Sequence, residues 1–149
     1  MRALAAVLVV AVAVGCGAGG GAPRAAPPSD WRSNALGLLE QLQGDLATTQ
    51  LGGTTRAAAA RALADTSQLY ALLVAYTDLG GCGRMAADTQ APAAVARSFA
   101  GACADLERAA ASFARAATRD DPRALARATR IAALAEPGLV ATLVAVKRR

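Results

Sequence analysis

The spacing of apolar residues after Pro92 is the feature that most constrains the fold of this chain. The apolar positions recur at alternating steps of four and three residues, and they are Val95, Phe99, Ala102, Leu106, Ala109 and Phe113. Such steps place side chains on one face of an α-helix. The chain is also dominated by alanine, the residue with the highest helix propensity, and only 3% of it is aromatic. We therefore expect an all-α fold with closely approaching helices.

Three further segments show the same periodicity. The first helix is predicted from residue 30 to about 50, the second from Thr54 or Thr55 to about Leu79, and the fourth from residue 122 onward. The predicted inner positions are Leu36, Leu39, Leu42 and Leu46 in the first helix, Ala59, Ala62, Thr66, Leu69, Leu73 and Tyr76 in the second, and Leu125, Ala128, Ile131 or Ala132, Leu134, Leu139, Leu143 and Val146 in the fourth.

Glycine, proline and aspartate residues separate the four helices. Gly52-Gly53 and the segment 80–83 are predicted to end the first and second helices. Asp120-Asp121 followed by Pro122 is typical of a helix start, and Pro137 is predicted to kink or break the last helix. Short connections predict antiparallel neighbours, so we expect an up-down-up-down four-helix bundle over residues 30–149.

The N-terminal segment ends in a motif that indicates where the chain is located. Arg2 precedes an apolar run over residues 3–14, which is too short to cross a bilayer as a helix. The run ends in Ala13-Val14-Gly15-Cys16, which resembles the lipobox of bacterial lipoproteins, although Ala13 stands where leucine is usual. This resemblance implies that residues 1–15 are a signal peptide and that Cys16 becomes the acylated first residue of the mature chain.

The segment 16–29 is predicted to be a lipidated cysteine followed by a flexible tether. Residues 17–29 are rich in glycine, alanine and proline, and no aliphatic side chain there is larger than alanine. The predicted location is therefore the extracytoplasmic face of the cell membrane, with the lipid as anchor. An ordinary signal peptide with a chance cysteine, or an uncleaved anchor, are the alternatives. Lys147 is the only lysine, and this preference for arginine is typical of high-GC bacteria.

Cys82 and Cys103 are the two cysteines left after lipidation. A cysteine pair outside the cytoplasm is expected to form a disulfide, and a loop of this length corresponds to about 3 kcal/mol of chain entropy. Two separate buried thiols are the alternative. The sequence has no histidine, and two cysteines alone cannot complete a four-ligand zinc site, so we expect no metal.

The sequence shows little that could carry catalysis. It has no histidine, no glycine-rich phosphate loop and no nucleophile elbow, so we expect neither an enzyme nor a cofactor. Asp105 and Glu107 are two residues apart and point in different directions on a helix. Asp120 and Asp121 are better explained as helix caps. Trp31 is expected to pack over one end of the bundle, and Tyr70 and Tyr76 are expected to pack in or near the core.

Basic residues predominate in the second half of the chain. Residues 90–149 carry ten basic and five acidic side chains. Candidate contacts with an anionic surface are Arg115, Arg119, Arg123, Arg127, Lys147, Arg148 and Arg149. A solvated face that keeps the domain soluble is the alternative. Nucleic acid is not expected, because the domain would face outward and lacks interleaved aromatic residues.

Two functions fit these features. The first is a non-enzymatic envelope lipoprotein whose helical domain is a protein-binding or accessory scaffold module, with an envelope protein or an anionic envelope polymer as partner. The second is a small-ligand or lipid-binding bundle with an apolar pocket between its helices. A large enclosed cavity would favour the second, whereas a filled core with an exposed apolar patch would favour the first.

Overall fold

A computed structural model describes residues 30–48 and 54–146 of the chain. The elements in chain order are α1 (Trp31–Thr48), α2 (Thr55–Val74), a short 3₁₀ turn (Ala87–Thr89), α3 (Ala93–Arg119) and α4 (Pro122–Ala145). The four α-helices pack together, and the described residues contain no β-strand. The all-α, four-helix prediction is therefore confirmed.

The third helix is the central element of the fold. α3 packs against both α2 and α4, while α1 packs mainly against α2. The apolar face predicted for α3 is the buried one, since Phe99, Leu106 and Phe113 are fully buried. Only Val95, near the beginning of the helix, is half-buried.

The core consists of two clusters along the helix axes, and each contains one phenylalanine. The larger cluster surrounds Phe99 and includes Trp31, Tyr76 and leucines from all four helices. The smaller cluster surrounds Phe113 and is otherwise almost all alanine; its members are Ala58, Ala59, Ala62, Ala109, Phe113, Ala116, Leu125, Ala128 and Ala132. Because alanine contributes a single methyl group, Phe113 and Leu125 supply most of the side-chain volume there.

The helix starts predicted from the sequence are confirmed. The Thr54 hydroxyl accepts a hydrogen bond from the amide of Ala57 at 3.4 Å, which caps α2. The Asp121 carboxylate accepts from the amides of Arg123 at 2.9 Å and Ala124 at 3.1 Å, which caps α4. These bonds satisfy amide groups that have no partner inside the helix.

The neighbouring Asp120 acts on a different helix. It ends α3 in the left-handed region, with φ of 53°, and its carboxylate accepts a hydrogen bond from the amide of Arg56 at 3.1 Å. Arg56 lies in the first turn of α2. The two adjacent aspartates therefore cap two helices, and Asp120 ties the turn between α3 and α4 to the start of α2.

The predicted end of the second helix is wrong by five residues. The helix ends at Val74 rather than near Leu79, because the chain then doubles back through a loop that we call the Cys82 loop (residues 77–85). Thr77 bridges to Met85, and the amide of Asp78 donates to the carbonyl of Arg84 at 2.9 Å. These hydrogen bonds across the loop replace the ones that would have extended the helix.

The structure of α4 differs from two expectations, which concern the break at Pro137 and the burial of Leu134. α4 continues as one helix through Pro137, so it is not broken there, and the kink stays a prediction. Leu134 was expected inside but is 74% exposed, and Ala135 is buried in its place. The uninterrupted helix keeps one phase from Leu125 to Leu139, and Leu134 lies about 140° away from the middle of that buried face.

Gly138 lies at a close approach between α3 and α4. A Cβ atom at this position would be 3.1 Å from the Cβ of Ala102 and 3.2 Å from the backbone oxygen of Ser98. The backbone oxygen cannot rotate away as a flexible side chain could. Glycine here therefore lets the two helices pack together.

Replacing Gly138 with glutamine is expected to lower the free energy of unfolding by about 1–3 kcal/mol, because the longer side chain must push α4 away from α3. The matched control is Gly101→Gln on α3, where a Cβ meets nothing within 4 Å. That variant should be more stable than the parent by about 0.5 kcal/mol, since glutamine favours helix over glycine. Urea denaturation of the three proteins measures both effects, and equal stability of the two variants would contradict the close approach.

Candidate functional site

Part of the predicted site lies outside the described residues. Cys16, the tether over residues 17–29 and the basic end Lys147–Arg149 belong to that part, as does the Gly52-Gly53 turn. The structure describes the cysteine pair and the four internal arginines.

The Cys82 loop folds back onto α3, as the cysteine pairing requires. Cys82 and Cys103 have their sulfur atoms at disulfide-bonding distance, and their Cα atoms are 5.3 Å apart. Cys103 is fully buried in the Phe99 cluster, and Met85 is buried at the far side of the loop. The loop is thus held to α3 by the sulfur pair and to the core by Met85.

The four internal arginines surround one turn of the fold. Arg115 and Arg119 lie in the last turns of α3, Arg123 and Arg127 lie in the first turns of α4, and all four are exposed. Arg115 donates to the Ser112 hydroxyl at 2.8 Å. The structure therefore gathers four guanidinium groups at the end of the bundle that contains the α3–α4 turn.

These arginines have no acidic partner within the described chain. The two ion pairs among residues 30–48 and 54–146 are Arg84 with Asp78 and Arg108 with Asp105. Asp105 and Glu107 were considered together as a carboxylate pair in the sequence. Asp105 instead forms an ion pair with Arg108, one helical turn later. The arginines around the α3–α4 turn are therefore exposed without a carboxylate partner among the described residues.

A buried carboxyl group was missed by the sequence reasoning. Asp65 on α2 is only 4% exposed. Its Oδ1 atom accepts a hydrogen bond from the Gln41 amide at 2.8 Å, whereas Oδ2 receives none from the described residues. The periodicity contained the signal, since Asp65 lies three residues after Ala62 and four before Leu69, both on the inner face of α2.

The surroundings of Asp65 favour its protonated form. Burial raises the pKa of Asp65, and the neighbouring Asp45 carboxyl raises it further, while the hydrogen bond from Gln41 lowers it. A proton on Asp65 allows it to donate to Asp45, which two ionised carboxylates cannot do. The described residues contain no group of three acidic, cysteine or histidine side chains that could hold a metal ion. Asp65 on α2 and Asp45 on α1 therefore form a contact between two carboxyl groups.

The exposed surface of α4 changes character along the helix. Arg123, Arg127 and Arg130 are exposed in the first half. After Arg130 every exposed position of α4 is apolar, and we call this set the α4 apolar stripe: Ala133, Leu134, Pro137, Val140, Ala141 and Val144. Leu134 is 74% and Val144 is 65% exposed. Exposed residues on the other described helices include polar or charged side chains along their whole length.

Among the described helices, α4 alone is long and apolar enough to span a membrane by length and composition. A third of its most apolar 18-residue window is nevertheless buried within the protein. Its inner face, which includes Leu139 and Leu143, forms part of the core. One face of α4 is therefore part of the core, and the opposite face is exposed.

An open groove lies between α1 and α4. Its volume is about 400 Å³, and its lining consists of Gln43, Leu46, Ala47, Thr129, Ala133 and Glu136. The groove faces solvent and has no aromatic lining residue. It differs in both respects from the enclosed apolar cavity expected of a small-ligand carrier.

Replacing Asp65 with asparagine is expected to raise the free energy of unfolding at pH 7. Asparagine keeps the acceptor for Gln41, supplies a donor toward Asp45 and carries no charge. Because the folded pKa of Asp65 is raised, the parent loses stability as pH rises from the unfolded pKa through the folded one. The advantage of the variant in free energy of unfolding should therefore disappear in acid, below the unfolded pKa.

The control is Glu40→Gln, an exposed site on α1 expected to change stability by less than about 0.5 kcal/mol. Denaturant curves from acid to neutral pH test this, and a pH-independent difference would contradict the buried carboxyl pair.

Reducing the cysteine pair is expected to lower the free energy of unfolding by about 3 kcal/mol, because the unfolded chain regains the freedom of the closed loop. The control is Cys82→Ala, whose stability should not respond to reductant. Mass spectrometry of the unreduced protein should show Cys82 linked to Cys103. Alkylation of both thiols in the native, unreduced protein would contradict the bond.

Comparison with protein-family models, with curated proteins and with solved structures finds no match to this chain. The function is accordingly inferred from the residues and contacts described above.

Proposed function

We propose that this chain is a membrane-anchored lipoprotein of the extracytoplasmic face, and that its helical domain is a non-enzymatic protein-binding or accessory scaffold module. The observation that carries this proposal is the pairing of Cys82 with Cys103 across the fold. Disulfides persist in oxidising compartments and are rare in the cytoplasm. The pairing therefore supports the export that the lipobox-type sequence around Cys16 independently predicts.

We further propose the up-down-up-down order for the bundle, and contacts between helix ends support it. The Trp31 indole near the start of α1 donates to the carbonyl of Leu72 near the end of α2, at 3.0 Å. The contact between Asp120 and Arg56 joins the end of α3 to the start of α2. Gly138 in the second half of α4 packs against the first turns of α3. In each case the start of one helix adjoins the end of its neighbour.

This order gives the domain a membrane-near end and a far end. The tether over residues 17–29 leads directly to α1, so the start of α1 belongs to the near end, together with the end of α4. The α3–α4 turn with its arginines belongs to the far end, roughly 35 Å away along α4. The far arginines are therefore free to bind a protein partner or an anionic envelope polymer.

The second candidate, a small-ligand or lipid-binding bundle, is supported by the groove between α1 and α4. The scaffold proposal is favoured over it for two reasons. The groove is open, and the large core side chains such as Phe99 and Phe113 are fully buried within filled clusters. An exposed apolar stripe on α4 also fits a docking role better than a carrier role.

Cys16→Ala is expected to leave an unprocessed precursor that takes up no lipid, because the thiol is the acylation site. Metabolic labelling with a fatty-acid analogue measures this directly. The matched control is Cys82→Ala, which removes a cysteine but leaves the lipobox intact and should label like the parent. Equal labelling of Cys16→Ala and the parent would overturn the lipoprotein proposal.

A further inference from the structure

We propose that the α4 apolar stripe lies against the lipid surface of the membrane to which the chain is anchored. This inference rests on the proposed function and assigns a surface to it: the second half of α4 contacts lipid, and the first half faces away. The occupant is a bilayer surface with anionic headgroups.

The composition of the stripe is the first argument. Its six exposed positions cover about 17 Å of helix without a polar side chain. Leu134, Val140 and Val144 are the large members, and they are 74%, 38% and 65% exposed. Leaving such an apolar face in water is unfavourable, and burying it against lipid removes that cost.

The position of the stripe is the second argument. The side chain of Arg32, in the first turn of α1, donates a hydrogen bond to the carbonyl of Leu143. The start of α1 is therefore beside the end of α4, where Val144 is exposed. The chain from Cys16 to Asp30 spans 15 residues, and a flexible linker of this length has an end-to-end distance of about 20 Å. A lipid on Cys16 thus keeps this end of α4 close to the bilayer.

Charge is the third argument. The sequence continues from Val146, at the end of the stripe that adjoins α1, directly into Lys147–Arg149. The acidic residue within this part of α4, Glu136, is half-buried and lies outside the stripe. An apolar face next to basic residues is the pattern of helices that rest in the headgroup region, where an anionic surface attracts the basic side chains.

Two other occupants fit the structure less well. A second copy of the chain would bury only about six residues a side through this stripe, whereas stable interfaces use roughly 20–30. Insertion of α4 as a membrane span would remove Leu139 and Leu143, both fully buried, from the core. Contact at the surface leaves that inner face in place.

Fluorescence quenching by brominated phospholipid tests the proposal on the full chain reconstituted into vesicles of phosphatidylglycerol and phosphatidylcholine. The probe is Val144→Trp, and the matched control is Ala126→Trp. Residues 126 and 144 are both exposed on α4 and are five turns apart, so they share one face but are separated by about 27 Å. The parent, with its single buried Trp31, supplies the baseline. Thermal unfolding of both variants verifies that the fold is kept.

The expected result is a loss of fluorescence for Val144→Trp in brominated vesicles, with Ala126→Trp matching the parent. If the chain floats with the vesicles but Val144→Trp is not quenched, the proposed contact of the stripe with lipid is wrong. The proposed lipid anchor is retained in that case. Equal quenching at both positions would overturn it in favour of a flat or membrane-spanning α4. Chain that does not float with vesicles at all would overturn both the anchor and the contact.

Discussion

The close packing of α3 between α2 and α4 is the constraint on which the rest of this structure depends. Small side chains allow this packing. Alanines form most of the second cluster, and Gly138 has no Cβ atom that would contact Ala102 and Ser98 of α3 too closely. The consequence is a thin core in which a few large side chains supply the buried volume. Phe99 and Phe113, two heptads apart on α3, each centre one cluster.

A thin core explains why other interactions are concentrated at the ends of the helices. Asp121 caps α4, and Asp120 joins the α3–α4 turn to α2. At the opposite end, Trp31 packs on Tyr76 with ring centres 4.2 Å apart, and Arg32 donates to a carbonyl in the last turn of α4. A cation at a helix C-terminus is favourable because the last carbonyls have no partner inside the helix. The Cys82 loop adds a covalent link where the chain has its longest excursion between helices.

The proposed function divides the surface between the two ends of the bundle. The end that contains the start of α1 holds the cysteine-linked loop and adjoins the α4 apolar stripe, and the proposed lipid anchor is tethered to it. The other end presents four exposed arginines without acidic partners in the described chain. Under the proposed function, hydrophobic contact lies near the membrane and electrostatic contact lies away from it. This distribution suits an accessory module that is held at a membrane and reaches toward a partner.

The sequence by itself determined the features that depend on neighbouring residues. The four helices, the caps at Thr54 and Asp121 and the buried face of α3 follow from local periodicity and turn chemistry, which act over three or four residues. The cysteine pairing was also predicted, because it needed only the compartment and the number of thiols.

Only the tertiary structure decided the features that depend on contacts distant in the chain. The early end of α2 follows from the pairing of Thr77 with Met85, and the second role of Asp120 follows from the approach of α2. Leu134 was misplaced because the smaller Ala135 beside it, and not the leucine, shares the buried face with Leu125 and Leu139 in the continuous helix α4. The raised pKa of Asp65, caused by burial and by the neighbouring Asp45, requires that α1 and α2 lie side by side. A local sequence pattern does not indicate which helices pack against each other. The packing of these helices decides which residues are buried together.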